Sequence, residues 1–450
     1  MPQAWVVGLG KSGFAAALLL KAKNWEVWVS DRRSEQSSKE LAARQQQLLN
    51  HQIRVSLGYD LISAGLDLSQ SLPQLIVVSP GIDWYHPTLE QARQLQIQVW
   101  GEAQLAWQYL QQIPWVGITG TNGKTTTTTM IARIFQQARL VAPACGNIGL
   151  PLSEVALQGQ LDWLIAELSS YQIEASNICC QIGVWTTFTP DHLSRHGDLV
   201  AYGEIKASLL RSASQRVVNR ADPYLAANAE RLLGKNLVWT DIQGTCEQGA
   251  DIAEGWVRFR GQPVLKLEQF ALPGEHNRQN LLMAVAVAKL AGIDSEVIAE
   301  AIAKFPGVAH RLELVGCWQG ITFINDSKAT NFDAAAVGLA AVNAPIILIA
   351  GGEDKEGDPS AWLELIRQKV VMVLLIGAAS ERFSRMLGLI NFTKYCQVET
   401  LAAALEWVRL YAQPEVTVLF SPACASFDQY NNFEQRGDHF RTLVLKQFAV

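Results

Sequence analysis

Residues Gly117 to Thr126, Gly-Ile-Thr-Gly-Thr-Asn-Gly-Lys-Thr-Thr, are of the kinds that hold a nucleotide phosphate. Glycines let backbone N–H groups turn inward onto phosphate oxygens, a lysine adds a mobile positive charge, and the next hydroxyl can ligate Mg2+ at a helix N-terminus. The spacing departs from the strict P-loop pattern, since glycines stand at 117, 120 and 123 and Ile118 occupies the position five before Gly123. The loop still follows an apolar strand pattern, Trp115 to Ile118, and opens a helical one, so ATP or GTP is the first ligand to consider against a plain Gly/Thr-rich turn. Thr125 to Thr129 are poor helix formers, and five of them at a helix start mean hydroxyls are wanted or tolerated there.

Three further groups could join such a phosphate. The strand pattern Asp162-Trp-Leu-Ile-Ala-Glu167 runs apolar into a carboxylate, the way P-loop proteins bring a Mg2+ ligand to the C-terminal edge of a sheet. Asp191-His192 follows the strand pattern Gln181 to Thr187 and reaches the same edge from a loop. Lys206 shares a helical stripe with Tyr202, Leu209 and Leu210. Either its amine snorkels to solvent, or burial depresses its pKa and leaves a neutral amine that CO2 can carbamylate into a carboxylate-like metal ligand.

A second glycine loop stands at the start of the chain. Gly8-Leu-Gly10-Lys11-Ser12-Gly13, with Asp31 closing the next strand pattern, matches the dinucleotide fingerprint of an NAD(P)-binding oxidoreductase. Its physical content is only that a diphosphate fits the first helix N-terminus, which a UDP group satisfies equally. Arg32 and Arg33 add anion-binding capacity.

The elements that must position these residues alternate strand and helix along 450 residues, enough for about three domains of ~150 residues. We expect an α/β protein of three domains in series. Residues 1–102 form a Rossmann-like domain, 103–307 a P-loop-type central domain with a small β-rich insertion over 237–274, and 308–450 a second Rossmann-like domain. A net charge of −5 gives no footprint for nucleic acid or an anionic membrane. Seven cysteines without a CxxC pair argue against a disulfide framework or structural zinc. With no signal-peptide layout and no run of 18 apolar residues, a soluble cytoplasmic protein is expected.

Taken together, Gly120-Thr-Asn-Gly-Lys-Thr125, Glu167-Leu-Ser-Ser-Tyr-Gln172, Asp191-His192, His310-Arg311, Asn325-Asp-Ser-Lys-Ala-Thr-Asn331 and Ser421-Pro-Ala-Cys-Ala-Ser-Phe-Asp428 resemble the Mur ligase family. The match runs in order through all three expected domains. The Glu167 and Ser421 segments are most similar to D-glutamate-adding members. Another Mur-type or folylpolyglutamate-type amide ligase is the nearer rival, and the oxidoreductase the more distant one.

The resemblance implies an ATP-dependent ligase of peptidoglycan precursor synthesis, joining D-glutamate to UDP-N-acetylmuramoyl-L-alanine through an acyl phosphate. It implies that Gly120, Thr121, Asn122, Gly123, Lys124, Thr125 and Thr126 hold the ATP phosphates, Asn277 and Asn280 approach adenine, Arg311 the phosphates and Asp326 the ribose. Lys124, Glu167, His192 and Lys206 become catalytic. Thr125, Glu167, His192 and carbamylated Lys206 would serve Mg2+ at two sites. Gly10, Lys11, Ser12, Asp31, Arg32, Arg33, Ser79, Gly81 and Asn147 would hold the UDP-substrate, although the family often has threonine where Arg32 stands. His192, Lys328, Thr330, Lys355, Ser426 and Phe427 would shape the D-glutamate pocket, with Glu353 and Asp354 both candidates for the family's acid there. Since Arg311 and Lys328 lie in a different domain from Lys124, the resemblance also implies assembly by domain closure. The enzyme would be a monomer, with neither nucleic acid nor membrane as a partner.

Overall fold

The computed structural model describes residues 1–34, 39–69, 71–191, 193–354 and 357–448. They form two compact units, residues 1–270 with 279–305 and residues 271–278 with 306–450.

The first unit contains two sheets. The N-terminal sheet is wholly parallel and runs Arg54–Leu57, Glu26–Asp31, Gln3–Val7, Leu75–Val78, Gln98–Gly101. Every residue of Leu75–Val78 is buried, as a central parallel strand covered on both faces requires. Leu19, Leu20, Val29 and Leu105 pack one face, and Ile62, Leu89 and Ala92 the other. Strand order reverses between Gln3–Val7 and Leu75–Val78. The carboxyl ends there carry Gly8 to Gly10 and Ser79 to Gly81, the crevice where open α/β sheets bind ligands.

The second sheet has nine strands, with Trp115–Thr119 between Leu164–Glu167 and Ile182–Trp185. Gln215–Asn219, Val238–Asp241 and Ala250–Ala253 continue it in parallel. The segment expected as an insertion is indeed β-rich, but it is not set apart. Trp256–Phe259 and Gln262–Lys266 add antiparallel to the same sheet and lengthen its edge.

The second unit has one six-stranded sheet, in the order Glu313–Trp318, Ile321–Asn325, Thr417–Phe420, Ile346–Gly351, Val370–Ile376, Tyr395–Glu399. Only Glu313–Trp318 is antiparallel. Three α/β domains with parallel-rich sheets thus follow one another along the chain. All seven cysteines are free thiols. Among the described residues no helix is long and apolar enough to cross a membrane.

Candidate active site

The loop Gly120–Gly123 joins the fully buried strand Trp115–Thr119 to the helix Lys124–Gln137. Gly120 has φ +145°, and a Cβ there would fall 2.0 Å from Thr186 Oγ1, so no side chain fits. Gly123 caps the helix in the left-handed conformation without a side-chain hydrogen bond of its own. Lys124 Nζ donates to the carbonyls of Gly120 and Thr121 at 2.8 and 2.9 Å, curling back over the loop it must serve.

The threonine run is resolved in physical terms. Thr128 and Thr129 donate to the carbonyls of Lys124 and Thr125, each at 2.8 Å, which turns poor helix formers inward. Thr127 Oγ1 donates to Asn280 Oδ1 at 3.2 Å. Thr126 Oγ1 is buried with no hydrogen-bond partner.

Glu167 ends its strand almost fully buried. Its Oε1 accepts from Asn147 Nδ2 at 2.8 Å, whereas Oε2 is buried without a partner. A buried carboxylate oxygen with nothing to accept from is costly, and a cation or its bound water offsets that cost. Thr125 lies just inside the helix start, 7% exposed. Carboxylate and hydroxyl oxygens are the donors Mg2+ takes when phosphates supply the rest, and these residues fit that ion. Among the described residues, no three His, Cys, Asp or Glu side chains converge as an all-protein metal cage. His192 lies outside the described residues.

Lys206 is 1% exposed, so it does not snorkel. Its Nζ donates to the Gly120 carbonyl at 3.1 Å and lies 4.5 Å from the centre of the Tyr202 ring. Burial, helped by the positive charge of Lys124, holds its pKa well below the usual lysine range. The neutral amine required for carbamylation is thereby favoured.

A cleft of about 550 Å³ lies within the first unit. Lys124, Asn147, Asp191 and Lys206 line it from the central domain, and Pro80 and Gly81 from the N-terminal one. The N-terminal glycine loop is built for close approach: a Cβ on Gly13 would sit 1.9 Å from the Gly8 carbonyl oxygen. Ser79 Oγ donates to that same carbonyl at 3.1 Å. Gly10 precedes the helix Lys11–Ala22, with exposed Lys11 and half-buried Ser12 in its first turn. Asp31 accepts from the Leu9 N–H at 2.6 Å and from Arg33 Nη2 at 2.7 Å. Burial alone would raise its pKa, but these hydrogen bonds outweigh it and hold the carboxyl below its ordinary range. Arg32 is exposed.

In the second unit, Asp326 follows the strand Ile321–Asn325 and is buried. It accepts from the Leu312 N–H at 3.2 Å and from Ser421 Oγ at 2.8 Å. Burial pushes its pKa up to about 7, against the opposing effect of Ser421 and the charge of Arg311. Asn277 Nδ2 donates to the Pro273 carbonyl at 2.7 Å; Asn277 belongs to the second unit, and Asn280 to the first. Lys328 Nζ sits 5.2 Å from the centre of the Phe433 ring. Thr330 is half-buried, Ser426 buried and Phe427 65% exposed. Asp354 pairs with Arg382, and Glu353 exchanges backbone hydrogen bonds with Ala425. Lys355 lies outside the described residues.

Comparison with known families matches residues 2–101 to the Mur ligase MurD-like N-terminal domain, 118–288 to the Mur ligase middle domain and 310–424 to the Mur ligase glutamate ligase domain. The chain belongs to the Mur ligase family. A UDP-N-acetylmuramoylalanine–D-glutamate ligase from Synechococcus elongatus is 53% identical, over 98% of both chains. The Trichodesmium erythraeum protein of that name is 52% identical, over 99% of this chain and 96% of its own. Among solved structures, a UDP-N-acetylmuramate-alanine ligase from Thermotoga maritima shares the fold with a TM-score of 0.63 at 18% identity, covering 99% of this chain and 100% of its own. A pseudomurein peptide ligase type C from Methanothermus fervidus does so at 0.60 and 20%, with the same coverage.

As a Mur ligase the protein is an ATP-dependent, amide-forming enzyme that uses Mg2+, and the oxidoreductase reading of the Gly8–Gly13 loop falls away. Two arginines of this Mur ligase carried no sequence signal. Arg195 lines the cleft, donates through Nη2 to the Ile82 carbonyl and to Glu174 at 3.3 Å each, and lies over the Tyr171 ring. It therefore ties the N-terminal domain to the central one. Arg436 is buried in the second unit. Arginine at an unremarkable helical position reads as surface, and only the fold reveals either one.

Proposed function

We propose that this Mur ligase joins D-glutamate to the carboxylate of UDP-N-acetylmuramoyl-L-alanine, converting ATP to ADP and phosphate, as a step of peptidoglycan precursor synthesis. The observation that carries this reading is the cleft in which Lys124, Asn147 and Lys206 face Pro80 and Gly81. Full-length relatives at about half identity bear that activity in their names. We assign residues 1–102 to the UDP-substrate, 103–307 to ATP and 308–450 to the amino acid.

A carboxylate does not accept an amine at neutral pH. The γ-phosphate of ATP therefore passes first to the alanyl carboxylate, giving an acyl phosphate; the amine then attacks its carbonyl carbon, and the tetrahedral adduct loses phosphate and a proton to leave the amide. The protein chiefly positions and neutralises. Lys124 and the helix N-terminus hold the phosphates, with Gly120 to Thr126 shaping the loop. Thr125, Glu167 and His192 would hold Mg2+, which would supply neutralisation of phosphate charge. Lys206 would add CO2 through its neutral amine with loss of a proton, and the resulting carbamate would serve as a ligand for a second Mg2+. Asn147 orients Glu167 and meets the substrate.

Asn277 and Asn280 serve adenine, Arg311 the phosphates and Asp326 the ribose. Gly10, Lys11, Ser12, Ser79, Gly81, Arg32 and Arg33 take the UDP group, with Asp31 bracing their loop. Lys328 and Lys355 match the two carboxylates of D-glutamate as cations, alongside Thr330, Ser426, Phe427 and His192. The enzyme works as a cytoplasmic monomer, which size-exclusion chromatography and cell fractionation check. Phosphate release from ATP, measured with UDP-N-acetylmuramoyl-L-alanine and a panel of amino acids, tests the assignment. Release with D-glutamate alone supports it, and release independent of D-glutamate overturns it.

A further inference from the structure

Arg436 lies in the first turns of the helix Phe433–Phe448 and is 1% exposed, one of the largest fully buried side chains of the protein. Its guanidinium donates four hydrogen bonds. Nε reaches Ser327 Oγ at 3.1 Å, Nη1 the Ala425 carbonyl at 2.9 Å, and Nη2 the carbonyls of Ser327 and Cys424 at 2.8 and 3.0 Å. Two loops from different strand ends are thereby held by one planar group. A third abuts it: a Cβ on Gly352 would fall 3.0 Å from Arg436 Nη1 and 2.4 Å from the Ala425 carbonyl oxygen. Ser327 Oγ also donates to the Phe433 carbonyl at 2.9 Å, fixing the helix start whose ring lies under Lys328.

We propose that Arg436 is a positioning residue for the amino-acid pocket, setting the relative placement of the 326–331, 352–354 and 421–428 loops. The proposal rests on the reading of Lys328, Thr330, Ser426 and Phe427 as the lining of that pocket. None of these side chains could hold two carboxylates at fixed spacing if the loops moved independently. The guanidinium is suited to this because its donors are rigidly divergent in one plane, whereas an ammonium offers a single point. Asp326, on one of the same loops, has its own anchors in Leu312 and Ser421. The Leu312 N–H lies off the clamped loops, so the ribose contact keeps one anchor that does not depend on Arg436.

Steady-state kinetics of Arg436→Lys and Ser327→Ala, each checked for a cooperative melt, test this. In Arg436→Lys, KM for D-glutamate rises about tenfold or more, while KM for ATP and for the UDP-substrate stays within about twofold. Ser327→Ala shows the same selectivity with a smaller rise. An unchanged KM for D-glutamate in a folded variant overturns the proposal, as does a parallel rise in all three constants. Should Arg436→Lys fail to fold, Ser327→Ala decides by the same criteria. A wild-type enzyme that ignores D-glutamate defeats the proposed function instead, and the clamp is then read on the KM of the amino acid it accepts.

Discussion

Asn147 Nδ2 donates to Glu167 Oε1 at 2.8 Å, and this one contact decides which carboxylate oxygen remains for a cation. The two residues are twenty apart in sequence. They meet because the short strand Ala144–Gly146 runs parallel beside Leu164–Glu167.

Asn147→Ala should therefore weaken the use of Mg2+. Losing a partner that orients a metal-binding carboxylate typically costs about 10–100-fold in metal affinity or activity. We expect the Mg2+ concentration for half-maximal phosphate release to rise by at least the lower of those factors, and an unchanged Mg2+ dependence would count against the assignment of Glu167.

Lys206→Ala should abolish activity, and short carboxylates added to the assay should restore part of it by standing in for the carbamate. Lys206→Arg should stay inactive, because a guanidinium neither loses its charge nor adds CO2. Full activity in Lys206→Ala would refute the carbamate.

Gly13→Ala places a Cβ 1.9 Å from a backbone carbonyl that cannot swing aside. Destabilisation of about 2 kcal/mol or more is expected. A urea midpoint equal to wild type would show that the helix and Gly8 can separate at little cost.

Glu102 and Asp326 each contribute stability that is lost as the solution turns from acid to neutral. Glu102 is buried, accepts from the Ser153 N–H at 2.5 Å and has its pKa raised by burial from 4.5 to about 7; Asp326 moves from 3.8 to about 7. Between those values each acid holds more protons folded than unfolded, so its contribution is present at low pH and is lost as pH rises through about 7. The shifts are worth at most about 3 kcal/mol for Glu102 and about 4 kcal/mol for Asp326. Glu102→Gln should remove its share of the decline in urea midpoint between pH 5 and pH 8, and a variant with the wild-type slope would contradict the burial argument.

Much of this was legible from residue order. The strand pattern ending in Glu167 put that carboxylate at a carboxyl edge, where the structure places it, because an apolar run closing on a polar residue has one physical reading in a parallel sheet. Lys206 was undecidable, since a lysine on an apolar stripe looks the same whether its amine escapes or is trapped. Only the neighbouring Gly120 carbonyl and Tyr202 ring show that it is trapped. Asn147–Glu167 and the Arg436 hub were invisible for a different reason, as both depend on which strands lie side by side. The edge hairpin was legible as β-rich but not in its attachment, because hydrophobic alternation does not name a partner strand.

That hairpin leaves the nine-stranded sheet ending on Gln262–Lys266. An outermost strand is an invitation to another chain, yet Pro263 has no N–H to offer and Lys266 brings a charge to the margin. The residues that widen the central domain also make its border a poor template for pairing with a second copy.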